Sequence, residues 1–172
     1  KEGHFRNKFN YHAFRWILIS GINELDKKQL HAMMISEDLD PVSSFSSSDP
    51  LLNRLWETVN HTYRCLCYCG YVVDCPHRER AGYGGDSHSS METAMNSFDM
   101  AALANKWNLD WNNAIYPTGL WPHTAPQIPQ HQNKFSPGWG GFGIFLPWQM
   151  DRYYGDTVNL ARAWPHIESW ME

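Results

Sequence analysis

The stretch DCPHRERAGYGGDSH, Asp74–His88, decides how the rest of the chain is read. Its fifteen positions hold three carboxylates (Asp74, Glu79, Asp86), two arginines (Arg78, Arg80) and two histidines (His77, His88). Pro76 and the glycines Gly82, Gly84 and Gly85 argue for an irregular turn rather than an ordinary helix. The turn follows the apolar run Tyr71-Val72-Val73. Polar groups at this density are costly to gather beside a core unless they are solvated or paired.

Upstream, Asp49-Pro50 reads as a helix start, with Asp as N-cap and Pro at the first helical position. Leu52, Leu55, Trp56, Val59, Tyr63 and Leu66 then recur at three- and four-residue steps, which predicts an amphipathic helix stopping by Gly70. Downstream, a stripe of Met91, Met95, Phe98, Ala102 and Leu109 predicts one long helix from Ser89 to Asn113. A third helix is expected over Phe142 to Tyr154, with Pro147 in its first turn or at a kink. Gly155-Asp156 should end it and cap a fourth, which begins near Thr157 and still runs at Glu172.

Farther upstream, residues 10–21 and 29–36 read as strands, the first apolar on both faces and so covered on both. Five serines between Ser43 and Ser48 mark a linker. The expected organisation is therefore the end of a β-domain over residues 1–42 and the first helices of an α-domain over residues 43–172, a piece of a longer protein.

Bulk composition narrows the function. The 172 residues carry a formal charge of −4, with no basic footprint for nucleic acid, and hold no apolar run of eighteen to span a membrane. Aromatic residues reach 15 %, with nine Trp, an excess over average chains; some of it can serve a core and some can face a ligand with flat apolar faces, for which sugar rings are the obvious candidate. Cys65, Cys67, Cys69 and Cys75 match no zinc spacing and are expected as buried free thiols, which leaves the compartment open. The proline-rich segment Tyr116 to Gly141, with Trp121, His123, His131 and Trp139, reads as the wall of a binding cleft.

The turn itself admits four chemistries. It can be a solvated structural turn, a metal site from Asp74, His77, Asp86 and His88, an acid/base site for glycoside hydrolysis, or a carbohydrate-binding surface without turnover. For the third, a carboxylic acid must hold its proton near working pH, and close carboxylates resist ionising together. Arg78 is expected to meet substrate or an Asp, and Arg80 to point elsewhere; the glycines would let backbone approach a ligand. Glu92, Asp99 and Asp110 are expected in solvated or capping roles, Asp99 being the strongest exception.

Asp74-Cys75-Pro76-His77-Arg78-Glu79 and Gly82-Tyr83-Gly84-Gly85-Asp86 resemble the signature of the α-L-rhamnosidases, glycoside hydrolase family 78. The likeness extends upstream to Tyr11-His12-Ala13-Phe14-Arg15-Trp16. Downstream it reaches Lys106-Trp107, Gly138-Trp139-Gly140, Pro147-Trp148 and Tyr154-Gly155-Asp156, in the expected order. Many members have Trp where Tyr83 stands and Asp where Gly141 stands.

The resemblance implies a mainly α fold, a partial (α/α)6 six-hairpin barrel preceded by the terminal strands of a β-sandwich. It implies an inverting mechanism with no cofactor, no metal and no covalent intermediate. By the same resemblance Glu79 is the general acid, kept protonated by the two Asp. Asp74, Arg78 and Asp86 would hold rhamnose hydroxyls, while Tyr83 and Trp139 would line the sugar pocket. The general base would lie beyond Glu172, so residues 1–172 alone are expected to be inactive and poorly soluble. The expected partners are a rhamnose-containing glycoside or polysaccharide and the remainder of the parent chain, with no nucleic acid and no membrane.

Overall fold

A computed structural model describes residues 3–132 and 134–172; Lys1, Glu2 and Asn133 lie outside it. Among the described residues, six helices and one hairpin follow in order: α1 (Pro50–Leu66), β1 (Cys67–Tyr68), β2 (Tyr71–Val72), α2 (Gly84–Ser97), α3 (Ala101–Asn113), α4 (Pro137–Gly140), α5 (Phe142–Tyr154) and α6 (Thr157–Met171). Single 3-10 turns occupy Lys27–Gln29 and Pro129–His131. The molecule is mainly helical, as expected.

α1 starts where Asp49 and Pro50 predict. The Asp49 carboxylate accepts from the Leu51 amide at 2.8 Å, satisfying one of the amides a helix start leaves unpaired. Its end differs from expectation. Gly70 is not a helix stop but the second residue of a hairpin turn, in which Cys69 and Gly70 both have positive φ, 60° and 78°. That pair of left-handed residues makes the turn whose twist matches two antiparallel strands. β1 and β2 pair Cys67 with Val72 and Tyr68 with Tyr71, and deliver the chain to Asp74.

The expected single helix over residues 89–113 is two helices. The break falls at Phe98–Met100, where the upstream segment crosses: Val42 donates to the Ser97 carbonyl and the Asp99 amide to that of Asp40. Just before the Met100 N-cap of α3, the Asp99 carboxylate accepts from the Ala101 amide at 3.0 Å. Phe98 and Met100 remain buried across the break, so the apolar stripe continues although the helix does not.

α5 has the predicted bounds, but Pro147 sits in its second turn, buried, where it removes the amide that would reach Gly143. Gly155 takes the left-handed conformation at φ 66° that ends a helix, and Asp156 accepts from the Asn159 amide to start α6. α5 packs on α2, α3 and α6. Phe142 anchors this core, its ring 5.1 Å from Trp107 and 5.5 Å from Trp111 between centroids. Such tilted pairs each contribute about 0.5–1.5 kcal/mol beyond the area they bury. The Trp107 indole N–H donates to the Ala125 carbonyl at 2.7 Å and so ties α3 to the segment after it.

Two expectations require correction. Residues 10–21 and 29–36 form no strand; they run irregular and largely exposed, because no described residue offers them a ladder partner. Of the four cysteines only Cys67 is buried; all four are free thiols. On α1, Leu52, Leu55 and Val59 are exposed and Tyr63 alone is buried, so most of the stripe that predicts the helix has no cover among the described residues.

Candidate active site

The turn after β2 closes on itself. The Asp74 amide donates to the Ala81 carbonyl, and the Ala81 amide returns to Asp74 Oδ1, both at 3.0 Å. The Cys75 thiol donates to Asp74 Oδ2 at 2.7 Å. Burial works to raise the Asp74 pKa, but the donors at Cys75 and Ala81, with a hydrogen bond to Glu79, outweigh it and hold the carboxyl below its ordinary value. Asp74 is thus the staple of the turn as well as one of its acids.

Arg80 keeps the turn tight at a cost. Its backbone is left-handed at φ 57°, on the order of 1–2 kcal/mol for a residue with a side chain. Its amide donates to the Cys75 carbonyl at 3.3 Å and its Nε to that of Pro76 at 3.2 Å. The guanidinium then leaves the turn, donating to Asn10 Oδ1 at 2.7 Å and lying 4.7 Å over the Tyr11 ring. Arg80 points elsewhere, as expected. Arg78 meets neither Asp; its guanidinium is 3.9 Å from Glu79, both side chains being exposed.

Glu79 projects back to the staple: ligand atoms of Asp74, Cys75 and Glu79 all lie within 4.8 Å of one another. His77 and His88 do not join this cluster; His88 packs on Phe145, ring centroids 4.2 Å apart. Tyr83 stands beside Glu79. Burial, then a hydrogen bond and the charge of Glu79, push its phenol up to about 12. Asp86, exposed in the first turn of α2, has its pKa raised, first by partial loss of water and then by the charges of Asp74 and Glu79. Asp74, Glu79, Tyr83 and Asp86 therefore share one electrostatic site.

The second half of DCPHRERAGYGGDSH is helix, not turn: α2 begins at Gly84 and carries Asp86 and His88. Its glycines admit protein backbone rather than a ligand. A Cβ on Gly82 would stand 2.6 Å from the Ala125 carbonyl oxygen, and one on Gly84 would collide with the Trp139 carbonyl. The Gly84 amide donates to the His123 carbonyl, and the Ala125 amide to that of Gly82. These contacts lay the segment 121–140 directly along the turn.

That segment forms the second wall. Trp139 is 41 % exposed, with its indole against Gly85. Its ring lies 5.4 Å from that of His123, which is 6.0 Å from His131, which is 5.2 Å from Tyr83. Burial, then the neighbouring His131 and Lys134, lower the His123 pKa; its Nε2 is 3.0 Å from Ser136 Oγ. Trp121, expected on this wall, is fully buried behind it near His166 and Trp170. Sequence reading noted His131 as one aromatic of the loop; its 2.7 Å contact with the Tyr83 hydroxyl, across 48 positions, left no local signal.

The helical fold and its match to a family model place the chain among the six-hairpin glycosidases. The model described as the bacterial alpha-L-rhamnosidase 6 hairpin glycosidase domain matches residues 40–172, and the chain belongs to that family. An alpha-L-rhamnosidase of Formosa agariphila is 30 % identical over 178 residues, covering 94 % of this chain and 18 % of the relative. One from Streptomyces avermitilis is 27 % identical over 172 residues, covering 99 % and 16 %. The structure of the Streptomyces avermitilis alpha-L-rhamnosidase complexed with L-rhamnose superposes with a TM-score of 0.72 at 28 % identity, over 78 % of this chain and 13 % of that one. The native enzyme of Aspergillus terreus gives 0.78 at 26 % identity, over 87 % and 18 %. The chain spans less than a fifth of the length of these relatives.

Proposed function

We propose that the parent protein hydrolyses terminal α-L-rhamnose from rhamnosides with inversion, and that Glu79 is its general acid. The observation that carries this reading is the cluster itself: Glu79 within 4.8 Å of Asp74, with Tyr83 beside it. Glu79 gives its proton to the glycosidic oxygen as the bond from that oxygen to the anomeric carbon breaks. A water attacks the opposite face and loses its proton to a general base, releasing β-L-rhamnose. Inverting enzymes separate acid and base by about 6.5–9.5 Å to seat that water. Asp74 and Asp86 are on the acid's side of the site, and we place the base outside residues 1–172.

Asp86 and Arg78, both exposed beside Glu79, hold sugar hydroxyls, and Tyr83 and Trp139 offer flat faces to the ring. Protonation and water activation need no cofactor. Residues 43–172 are the opening part of the barrel, and residues 1–42 belong to the unit before it.

The test is Glu79→Gln in the full-length protein, assayed on aryl and alkyl rhamnosides. The expected loss on the alkyl substrate is about 10³-fold in kcat, within the range for removing a general acid, with unchanged circular dichroism. A variant that still turns over the alkyl substrate at near wild-type rate removes Glu79 from the role. A sugar-binding module without turnover is the second reading, favoured by the exposure of Trp139 and Asp86, which can hold a sugar with no proton transfer. It predicts rhamnose-dependent tryptophan quenching and no hydrolysis by intact wild-type protein.

A further inference from the structure

Tyr83 is fixed at both ends. Its backbone opens α2, bridges to Thr124 and accepts from the Ser87 hydroxyl at 2.7 Å. Its hydroxyl lies 2.7 Å from His131 Nε2, and the two rings meet edge to face at 82°. The other ring nitrogen, His131 Nδ1, is buried with no hydrogen-bond partner among the described residues. A neutral imidazole carries one N–H and one bare nitrogen. Among buried backbone groups an unpartnered N–H is rarer than an unpartnered acceptor, and the same economy on this ring favours the tautomer with its proton on Nε2, the nitrogen that has a partner. In that tautomer His131 donates to the phenol oxygen, and the Tyr83 O–H is left to point away from it.

We propose that His131 is a positioning residue for the hydrolysis: by donating Nε2–H to the Tyr83 oxygen it directs the Tyr83 O–H onto the carboxyl group of Glu79. The inference rests on Glu79 being the general acid. As Glu79 releases its proton to the glycosidic oxygen it becomes an anion, and Tyr83 donates a hydrogen bond to that anion. No proton leaves Tyr83 or His131; the two hydrogen bonds polarise each other in series. The Tyr83 hydroxyl stays protonated through this, its pKa being pushed up to about 12 by burial and then by Glu79. A donor that strengthens only as charge develops raises kcat rather than lowering KM.

The experiment uses the full-length protein with His131→Phe, Tyr83→Phe, the double variant and His131→Gln. Each is assayed on an alkyl rhamnoside, whose leaving group needs the acid, and on a dinitrophenyl rhamnoside, whose leaving group does not. Losing one charge-assisted hydrogen bond lowers kcat about tenfold. That loss is expected for His131→Phe and Tyr83→Phe on the alkyl substrate, with KM steady and the dinitrophenyl rate nearly unchanged. The double variant should be no slower than Tyr83→Phe, and His131→Gln, which keeps an N–H, should recover part of the rate. Equal losses on both substrates, or losses that multiply in the double variant, would overturn the proposal by making His131 merely structural. If Glu79→Gln still cleaves the alkyl rhamnoside, the acid assignment fails; if it does not and His131→Phe is silent, only the role of His131 fails.

Discussion

The two walls of the site are built on opposite plans. The wall at Asp74–Asp86 is polar and short, and it is knotted by its own backbone: Asp74 and Ala81 exchange hydrogen bonds, and Arg80 closes the turn onto Cys75. The wall at residues 121–140 is aromatic and long, and it borrows its shape from what lies behind it. Trp121 is buried in the core, while the Ala125 carbonyl takes the Trp107 indole N–H. The difference teaches where precision is needed. On the proposed reading, a proton must be delivered within hydrogen-bond reach, which the self-stapled turn under Glu79 would secure, whereas a sugar face tolerates small displacements, which a loop under Trp139 would allow. Glu79→Gln, the largest effect expected, strikes the first wall alone and should leave rhamnose binding nearly intact.

The joint between the walls is Gly84. A methyl there would meet the Trp139 carbonyl, a backbone atom that cannot swing aside, while the Gly84 amide donates to the His123 carbonyl at 3.0 Å. Gly84→Ala should cost about 3 kcal/mol, the upper part of the range for overpacking. Urea unfolding of the full-length protein followed by tryptophan emission would read it as a lowered midpoint. Activity should fall on every rhamnoside alike, because both walls move. An unchanged midpoint would mean that they are not rigidly joined here. Next in size is Trp139→Ala, which removes the exposed platform and leaves the acid in place. KM should rise about tenfold, equivalent to about 1.4 kcal/mol of binding, with kcat nearly constant. A fall in kcat at constant KM would put Trp139 on the chemical wall instead.

The helical half of the molecule was largely legible. Asp49-Pro50 and Gly155-Asp156 are local signals, because a cap needs only its own residue and the amides just beyond it. The turn that gathers Asp74 and Glu79 was legible as a contiguous motif. What escaped depends on contacts between distant residues. The stripe through Phe98 runs on past a break imposed by residues 40–42, and no periodicity of α2 or α3 carries that information. Likewise, Trp121 and Trp139 look alike in sequence, and only packing separates a buried core anchor from an exposed ring. The alternation over residues 10–21 describes a surface suited to a strand, but a strand exists only with a neighbour to pair with.

The smallest effects divide the acid wall itself, since Asp74 and Asp86 are displaced in opposite directions. The Asp74 pKa lies below its ordinary value, so the native state holds this proton less tightly than the unfolded chain. Its contribution is complete above the unfolded value, near 3.9, and is lost as pH falls through the lower native one. Asp74→Asn keeps an acceptor for the Ala81 amide but forfeits the charge-assisted bond from Cys75. It should therefore lose about 1 kcal/mol at neutral pH, with the deficit shrinking below about pH 4. The Asp86 pKa is raised by partial burial and by the charges of Asp74 and Glu79, so ionisation there opposes folding. Its cost is present above the raised native value and is relieved as pH falls towards the unfolded one. Because Asp86 is exposed and screened, Asp86→Asn should gain only a few tenths of a kcal/mol at pH 7, and the gain should fade on acidification. Chemical denaturation of the two variants from pH 3 to pH 7 would show the signs directly. Parallel pH responses would mean that Asp74 in the turn and Asp86 on α2 are not sorted into a staple and a strained acid. Opposite responses, with Asp86→Asn losing rhamnose affinity while gaining stability, would show that the strain at Asp86 serves the sugar rather than the fold.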